Sequence, residues 1–306
     1  MRKSFSLNLA AGALGVGLMV APSFAEIKVS DQLSLSGFFD MSSTATFPDA
    51  GAKTYTATFD QFELDFMYKF SDVLSARADL NGGQGAMTVE QAFISYAAAP
   101  ALTIQAGKFL SSSGWEAAEP TGMYQYSWSN ALVYGGYQNG INVSYVVSPM
   151  ISLYAAYVDG IWIADGDMIR PGYEAQIALF PTKEITVKVT GMYEQEPGYG
   201  KTVINAWGAY IAGPLTAAIE GDYLMNYTAE DDNGIGYLVM ANYKLSDVLA
   251  VTGRFSGTDT DAGGSNNEVT VSPSYALAAN WLILAEAKYQ LDAESLGLAL
   301  ETTVTF

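Results

Sequence analysis

From residue 33 to the final Phe306, apolar and polar side chains alternate at period two along most of the chain. In 61–70 one face carries Phe62, Leu64, Phe66, Tyr68 and Phe70, and the other Gln61, Glu63, Asp65, Met67 and Lys69. In 185–193, Ile185, Val187, Val189 and Tyr193 stand opposite Thr186, Lys188 and Thr190. Tyr237, Val239, Ala241, Tyr243 and Leu245 alternate with Gly236, Leu238, Met240, Asn242 and Lys244. The chain closes on Leu296, Leu298, Leu300, Thr302, Val304 and Phe306, opposite Gly297, Ala299, Glu301, Thr303 and Thr305. Successive side chains of a strand point to opposite faces, so each segment is a strand with one apolar and one polar surface.

A soluble sandwich and a membrane barrel both use such strands. Segment length favours the barrel, because the runs are about nine to eleven residues, as a tilted membrane strand requires, where soluble strands average about five to six. The punctuation favours it too. Short polar breaks at 71–72, 98–100, 148–149, 181–183, 212–214 and 246–247 alternate with longer Gly- and Asp-rich ones at 45–53, 159–168, 228–234 and 257–267. Short turns on one side and long loops on the other predict an all-β, antiparallel up-and-down transmembrane barrel of roughly sixteen strands. At that size the interior holds water, whereas a barrel of about eight strands fills its interior with side chains. The expected function is therefore a channel. Two segments, 88–97 and 202–211, alternate poorly. Aromatics near the breaks (Phe70, Tyr96, Phe180, Tyr275 and Trp281 at short ones, Tyr157, Tyr173, Tyr193, Tyr223 and Tyr289 at long ones) predict two girdles at the bilayer interfaces, as do Tyr137 and Tyr145 on one strand face and Tyr237 and Tyr243 on another.

The first 25 residues read differently. Arg2 and Lys3 precede an apolar run from Leu9 to Ala21, and Ser23-Phe24-Ala25 has small residues at the positions a signal peptidase recognises. A cleaved signal peptide at 1–25 and a single barrel at 26–306 are expected. Removing Arg2 and Lys3 leaves 12 basic residues against 32 acidic ones, a mature charge of −20, and thus no basic surface for nucleic acid. With no cysteine there is no disulfide framework. With no histidine there is no Ser-His hydrolase, so an enzyme is not expected, and neither catalytic residues nor a cofactor nor a metal site are assigned. Asp231, Asp232, Asp259 and Asp261 lie in Gly-rich loops without EF-hand spacing and read as solvated loop acids.

One stretch carries a recognisable set of motifs: Glu90-Gln91-Ala92-Phe93, Gly107-Lys108-Phe109, Gly114, Glu116, Glu119-Pro120, Tyr126-Ser127 and Gly140-Ile141-Asn142-Val143. With these residues the stretch 91–145 resembles the OmpL-like β-barrel porin family, although Gln138-Asn139 stands where that family often has His-Thr. The resemblance implies an outer-membrane pore for small hydrophilic solutes or ions, in contact with lipid and lipopolysaccharide. Phe306, ending an alternating strand, looks like the terminal signal read by the barrel-assembly machinery. By similarity to porins of this size a homotrimer is plausible, and the longest connection, 110–130 after the fifth strand, corresponds to the third external loop, which in general porins folds into the lumen. Glu116 and Glu119 are then the candidates for a pore constriction. Glu63, Asp65, Arg77, Asp79, Lys188, Glu220, Asp222 and Arg254 are the candidates for charges facing it from the wall. Opposed acidic and basic rows would create a transverse field across the channel. Lys108 breaks the parity of Leu102, Ile104 and Ala106, which marks either a bulge or an amine reaching for the interface. Two rival readings are a surface-interaction barrel (an adhesin or receptor) with a closed lumen, and a secreted soluble all-β binding protein.

Overall fold

The computed structural model describes residues 26–83, 85–129, 134–162 and 171–306. The predicted signal peptide at 1–25 lies outside these residues. So do Asn130, at the end of the predicted longest loop, and 163–168 of the predicted loop 159–168.

A two-residue strand β1 (Ile27–Lys28) precedes sixteen long ones: β2 (Leu33–Pro48), β3 (Thr54–Lys69), β4 (Leu74–Gly82), β5 (Thr88–Ala99), β6 (Leu102–Leu110), β7 (Tyr137–Ser148), β8 (Ile151–Val158), β9 (Gly172–Leu179), β10 (Ile185–Glu196), β11 (Tyr199–Ala212), β12 (Leu215–Met225), β13 (Gly234–Lys244), β14 (Leu249–Thr260), β15 (Gly264–Ala278), β16 (Trp281–Gln290) and β17 (Ser295–Thr305). From β2 onward each strand pairs antiparallel with the next, and β17 returns to β2 in the register Thr305↔Phe38 to Ser295↔Pro48. The sheet is thus a closed sixteen-strand barrel whose backbone groups pair around the whole ring. No helix among the described residues is long and apolar enough to cross a membrane.

At the closing seam, the amide of Gly37 donates to the Phe306 carbonyl, and the Phe306 amide donates back to Gly37. A Cβ on Gly37 would stand 2.7 Å from the Phe306 ring and 2.2 Å from the Glu63 carbonyl, so only glycine lets the last residue lie flat here. Where β17 runs out, β1 takes its place on the edge of β2, through Ile27↔Leu35 and Lys28↔Ser34.

Burial along the strands is inverted relative to a soluble protein. In β12, Ile219 is 62% exposed while its neighbour Glu220 is 3% exposed. In β13 the exposed positions are Ile235, Val239 and Tyr243, and the buried ones Leu238, Met240 and Asn242. In β17, Leu298 and Leu300 are exposed and Glu301, Thr303 and Thr305 buried. The alternation read from the sequence therefore places apolar side chains outward and polar ones inward. Tyr157, Tyr173 and Tyr193 are register partners across β8, β9 and β10, with ring centroids 5.5 and 6.2 Å apart, and form part of one girdle. Tyr96, Tyr275 and Trp281 are exposed near the opposite rim. Tyr137 departs from this pattern. Its hydroxyl donates to Glu119 and Glu90, so it serves the interior rather than a girdle.

Three expectations about punctuation are corrected. The stretches 45–48, 257–260 and 264–267, read as loop from their composition, are paired strand, and the connections between them shrink to 49–53 and 261–263. The loop-side connection 197–198 is shorter than the turn-side connection 180–184, so the lengths do not alternate strictly. Gly, Asp, Asn and Thr report that a segment meets water, not that its backbone ladder has ended. The poorly alternating segments are also strands. In β5, Glu90 and Ala98 are extra residues relative to the neighbouring strands, each resetting the parity. In β11 the inward face holds Val203, Trp207 and Ala209, so both faces are apolar.

Candidate functional site

The connection between β6 and β7, 111–136, follows the fifth long strand and is described for 111–129 and 134–136. Its backbone is held by carboxylates that project inward from the wall. Glu174 on β9 accepts from the Ser112 amide at 2.7 Å, from Ser111 Oγ at 3.0 Å and from Gln138 Nε2 at 2.8 Å. Glu220 on β12 accepts from the Trp115 amide at 2.7 Å, and Glu286 on β16 accepts from the Ser127 amide at 3.0 Å. Thr252 on β14 donates to the Tyr124 carbonyl at 2.8 Å, and Ser42 on β2 lies 3.2 Å from the Tyr126 hydroxyl. Hydrogen bonds from amides to ionised carboxylates are about twice as strong as neutral ones. The inward acids therefore supply the partners that this irregular backbone needs away from water. The segment runs along the inner wall from β9 round to β2 and β3.

Apolar contacts fix the same course. Trp115 meets Trp207 edge-on with centroids 5.3 Å apart, in a cluster with Ala209, Ala218, Leu238 and Met240. This cover explains why β11 carries apolar residues on its inner face. A second inner cluster joins Phe109, Val158, Ile161, Met192, Val203, Leu224 and Tyr227. There Glu194 accepts from the amides of Ile161 and Trp162.

Every wall residue singled out from the sequence lies on the inward face. Glu220 and Asp222 both accept from Asn205 Nδ2, at 2.9 and 2.7 Å. Lys188 lies 5.3 Å from the Trp207 ring centroid. Arg254 is an anchor for the loop: Nη1 is 2.7 Å from Glu116 Oε1, Nη2 is 2.6 Å from Glu268 Oε1, and Nη1 also donates to the Ser127 carbonyl. The Arg254 and Glu116 side chains are 0% and 2% exposed, so the charge of Glu116 is spent on Arg254.

Glu119 sits elsewhere, with a group of acids on β3, β4 and β5. Single carboxylate oxygens of Glu63, Glu90 and Glu119 lie within 4.8 Å of one another, and so do those of Glu63, Asp65 and Asp79. Arg77 serves the second set, with Nε 2.7 Å from Asp79 Oδ1 and Nη2 3.6 Å from Asp65 Oδ1. Each inward base thus stands beside acids or an aromatic ring. Glu90 escaped parity reasoning because it is the extra residue of the β5 bulge, which turns it inward beside Gln91. Glu174 was legible, since Glu174 and Gln176 alternate with Tyr173, Ala175 and Ile177.

The bulge suggested by the parity break at Lys108 lies in the neighbouring β5, and β6 pairs without a register shift at this residue. Lys108 faces outward beside the β5 bulge, and its amine donates to the Val89 carbonyl at 2.7 Å. Gly107 precedes it with φ +133°, and a Cβ there would stand 2.2 Å from the Ala92 carbonyl, a position only glycine can occupy. Among the loop acids, Asp232 accepts from the amides of Thr228 at 3.1 Å and Ala262 at 2.8 Å. Its hydrogen bond from the Thr228 hydroxyl, together with these amides, holds its carboxyl below the usual carboxylate range. It ties the connection between β12 and β13 to the one between β14 and β15.

Comparisons with known proteins agree with this architecture. The family model for beta-barrel porin-2, OmpL-like, matches residues 67–303. No curated protein matches the chain. Among solved structures, Salmonella typhi OmpF in complex with daunomycin superposes with a TM-score of 0.70 at 14% identity, over 92% of this chain and 100% of that one. The anion-selective porin from Comamonas acidovorans gives 0.64 at 12% identity, over 90% and 99%. In-vitro folded OmpT of Vibrio cholerae in its trimer form gives 0.63 at 11%, over 90% and 100%. At these identities the structures share the fold. The family match spans most of the chain, and with the closed, outward-apolar barrel it makes this protein a member of the OmpL-like beta-barrel porin-2 family of the bacterial outer membrane.

Proposed function

We propose that the protein is a passive diffusion channel for small hydrophilic solutes or ions, narrowed by the inward segment 111–129 and selective for cations. The observation that carries this reading is the course of that segment. It hydrogen-bonds to inward residues on β2, β9, β12, β14 and β16, well away from its own root between β6 and β7. A loop that crosses the interior reduces the open section and sets its own charges against the wall. Glu119 brings its carboxylate to Glu63 and Glu90, and fixed negative charge between low-dielectric walls concentrates cations. Arg254 and Arg77 are neutralised by adjacent acids, so they offer anions little. The chain has no histidine for acid–base chemistry and is read as a channel rather than an enzyme. Export through cleavage after Ala25, assembly through the strand ending at Phe306, contact with lipopolysaccharide and a homotrimeric state belong to the same proposal. Trimer formation draws support from the trimer form of the similar OmpT.

The inner apolar cluster around Phe109, Val158, Met192 and Leu224 favours a second reading, a surface-interaction barrel whose lumen is closed. Single-channel recording in planar bilayers separates the two. The channel reading expects discrete conductance steps and a reversal potential set by cations, with the K+/Cl− permeability ratio falling roughly twofold or more in Glu119→Gln. Silent membranes from correctly folded protein would establish the closed barrel instead. An unchanged ratio in the variant would remove Glu119 from the constriction.

A further inference from the structure

Glu63 is the residue that both acidic groups share. Its side chain stands on β3 at 3% exposure, and its Oε2 is buried with no donor from outside the acidic group, facing only the carboxyls of Glu119 and Asp65. A buried carboxylate oxygen with no donor costs a substantial fraction of its desolvation energy, and carboxyls that face one another need either a shared proton or a cation between them. The neighbours sharpen the point. In the group Glu63–Asp65–Asp79, Arg77 supplies a cation and Gln91 donates to Asp79. In the group Glu63–Glu90–Glu119, the partners are neutral: Asn81 Nδ2 donates to Glu90 at 2.7 Å, Gln61 Nε2 to Glu119 at 3.4 Å, and the Tyr137 hydroxyl to Glu119 and Glu90. Among the described residues no Lys or Arg forms an ion pair with any of these three acids.

We propose that Glu63, Glu90 and Glu119 hold a calcium ion that clamps the inward segment to the barrel wall. All the candidate ligands are carboxylate oxygens, the hard donors that Ca2+ and Mg2+ prefer. Two oxygens on opposite sides of a calcium ion are about 4.8 Å apart, given Ca–O distances of about 2.4 Å, and one oxygen from each of the three acids falls within that separation. Magnesium demands near-ideal octahedral geometry and keeps its waters, whereas calcium accepts the irregular set offered by a strand (Glu63), a bulge (Glu90) and a loop (Glu119). The bulge has a purpose in this arrangement, because without the extra residue Glu90 would face lipid. The ion would neutralise three like charges and tie Glu119, hence the loop, to β3 and β5.

The site shares Glu119 with the proposed constriction, but calcium binding is measured without reference to conduction. The full mature chain is refolded into detergent micelles free of lipopolysaccharide, which itself binds calcium, and titrated calorimetrically with CaCl2 at neutral pH. One calcium per chain is expected, with MgCl2 binding more weakly. Glu63→Gln and Glu119→Gln should each weaken calcium binding by at least about tenfold, and Asp261→Asn, in an exposed loop, should leave it unchanged. Heat-modifiable migration on gels verifies that each variant is a folded barrel. Absence of calcium binding by folded wild type would overturn the proposal, as would equal affinity in wild type and Glu63→Gln. A silent barrel that binds calcium at Glu63 would contradict the channel and leave this site standing, and a conducting barrel indifferent to calcium would do the reverse.

Discussion

Arg254 shows how single residues hold the interior together. Its guanidinium bridges Glu116 of the loop and Glu268 of the wall, with the arginine side chain wholly buried. A buried pair adds little net stability over an apolar replacement, yet removing one partner strands a charge and costs about 3–5 kcal/mol. Arg254→Met should therefore lose about that much in equilibrium urea unfolding from vesicles. Adding Glu116→Gln to the same chain should recover part of the loss. A penalty below about 1 kcal/mol would mean that the loop is not anchored through this pair. Glu116 itself, a candidate for the pore constriction from the sequence, is better described as the loop's half of a structural ion pair.

For the strands, the decisive property is which side of each one meets lipid. Ile219 on β12 is strongly exposed and faces outward between its register partners Gly208 on β11 and Val239 on β13. Ile219→Arg should destabilise the barrel by about 2–4 kcal/mol in vesicles, the cost of a lipid-facing charge near the bilayer midplane. Asp247→Arg, in a short exposed turn, should be near neutral in the same assay. Most of this layer was legible in the sequence. The alternation in β3, β10, β13 and β17 names the inward and outward residues correctly, and sixteen long strands follow from it. Parity failed where another element reshaped the environment. Thr202 to Ile211 looked irregular because Trp207 and Ala209 are covered from within by Trp115, 92 residues before Trp207 in the chain. Glu90 was hidden by a bulge, and β2, β14 and β15 ran on through residues whose composition spoke of water. The course of the loop was not written in its own pattern either. Its partners are carboxylates dispersed over β9, β12 and β16, which only the closed ring brings together.

At the level of the whole molecule, the account rests on an inverted barrel: an apolar exterior in lipid and a largely polar interior against which the segment 111–129 is folded. Closure through Gly37 and Phe306 removes the sheet edges, and the family and fold comparisons place the chain among outer-membrane porins. Because the chain has no cysteine, single cysteines can be introduced one at a time and carry nitroxide labels. The most direct measurement is oxygen accessibility, by electron paramagnetic resonance, of labels placed successively from residue 216 to residue 223 of β12 in lipid vesicles. We expect maxima at 217, 219, 221 and 223, where the label meets lipid, and minima at 216, 218, 220 and 222. A profile without period two, or one with its maxima at the even positions, would contradict the inverted barrel.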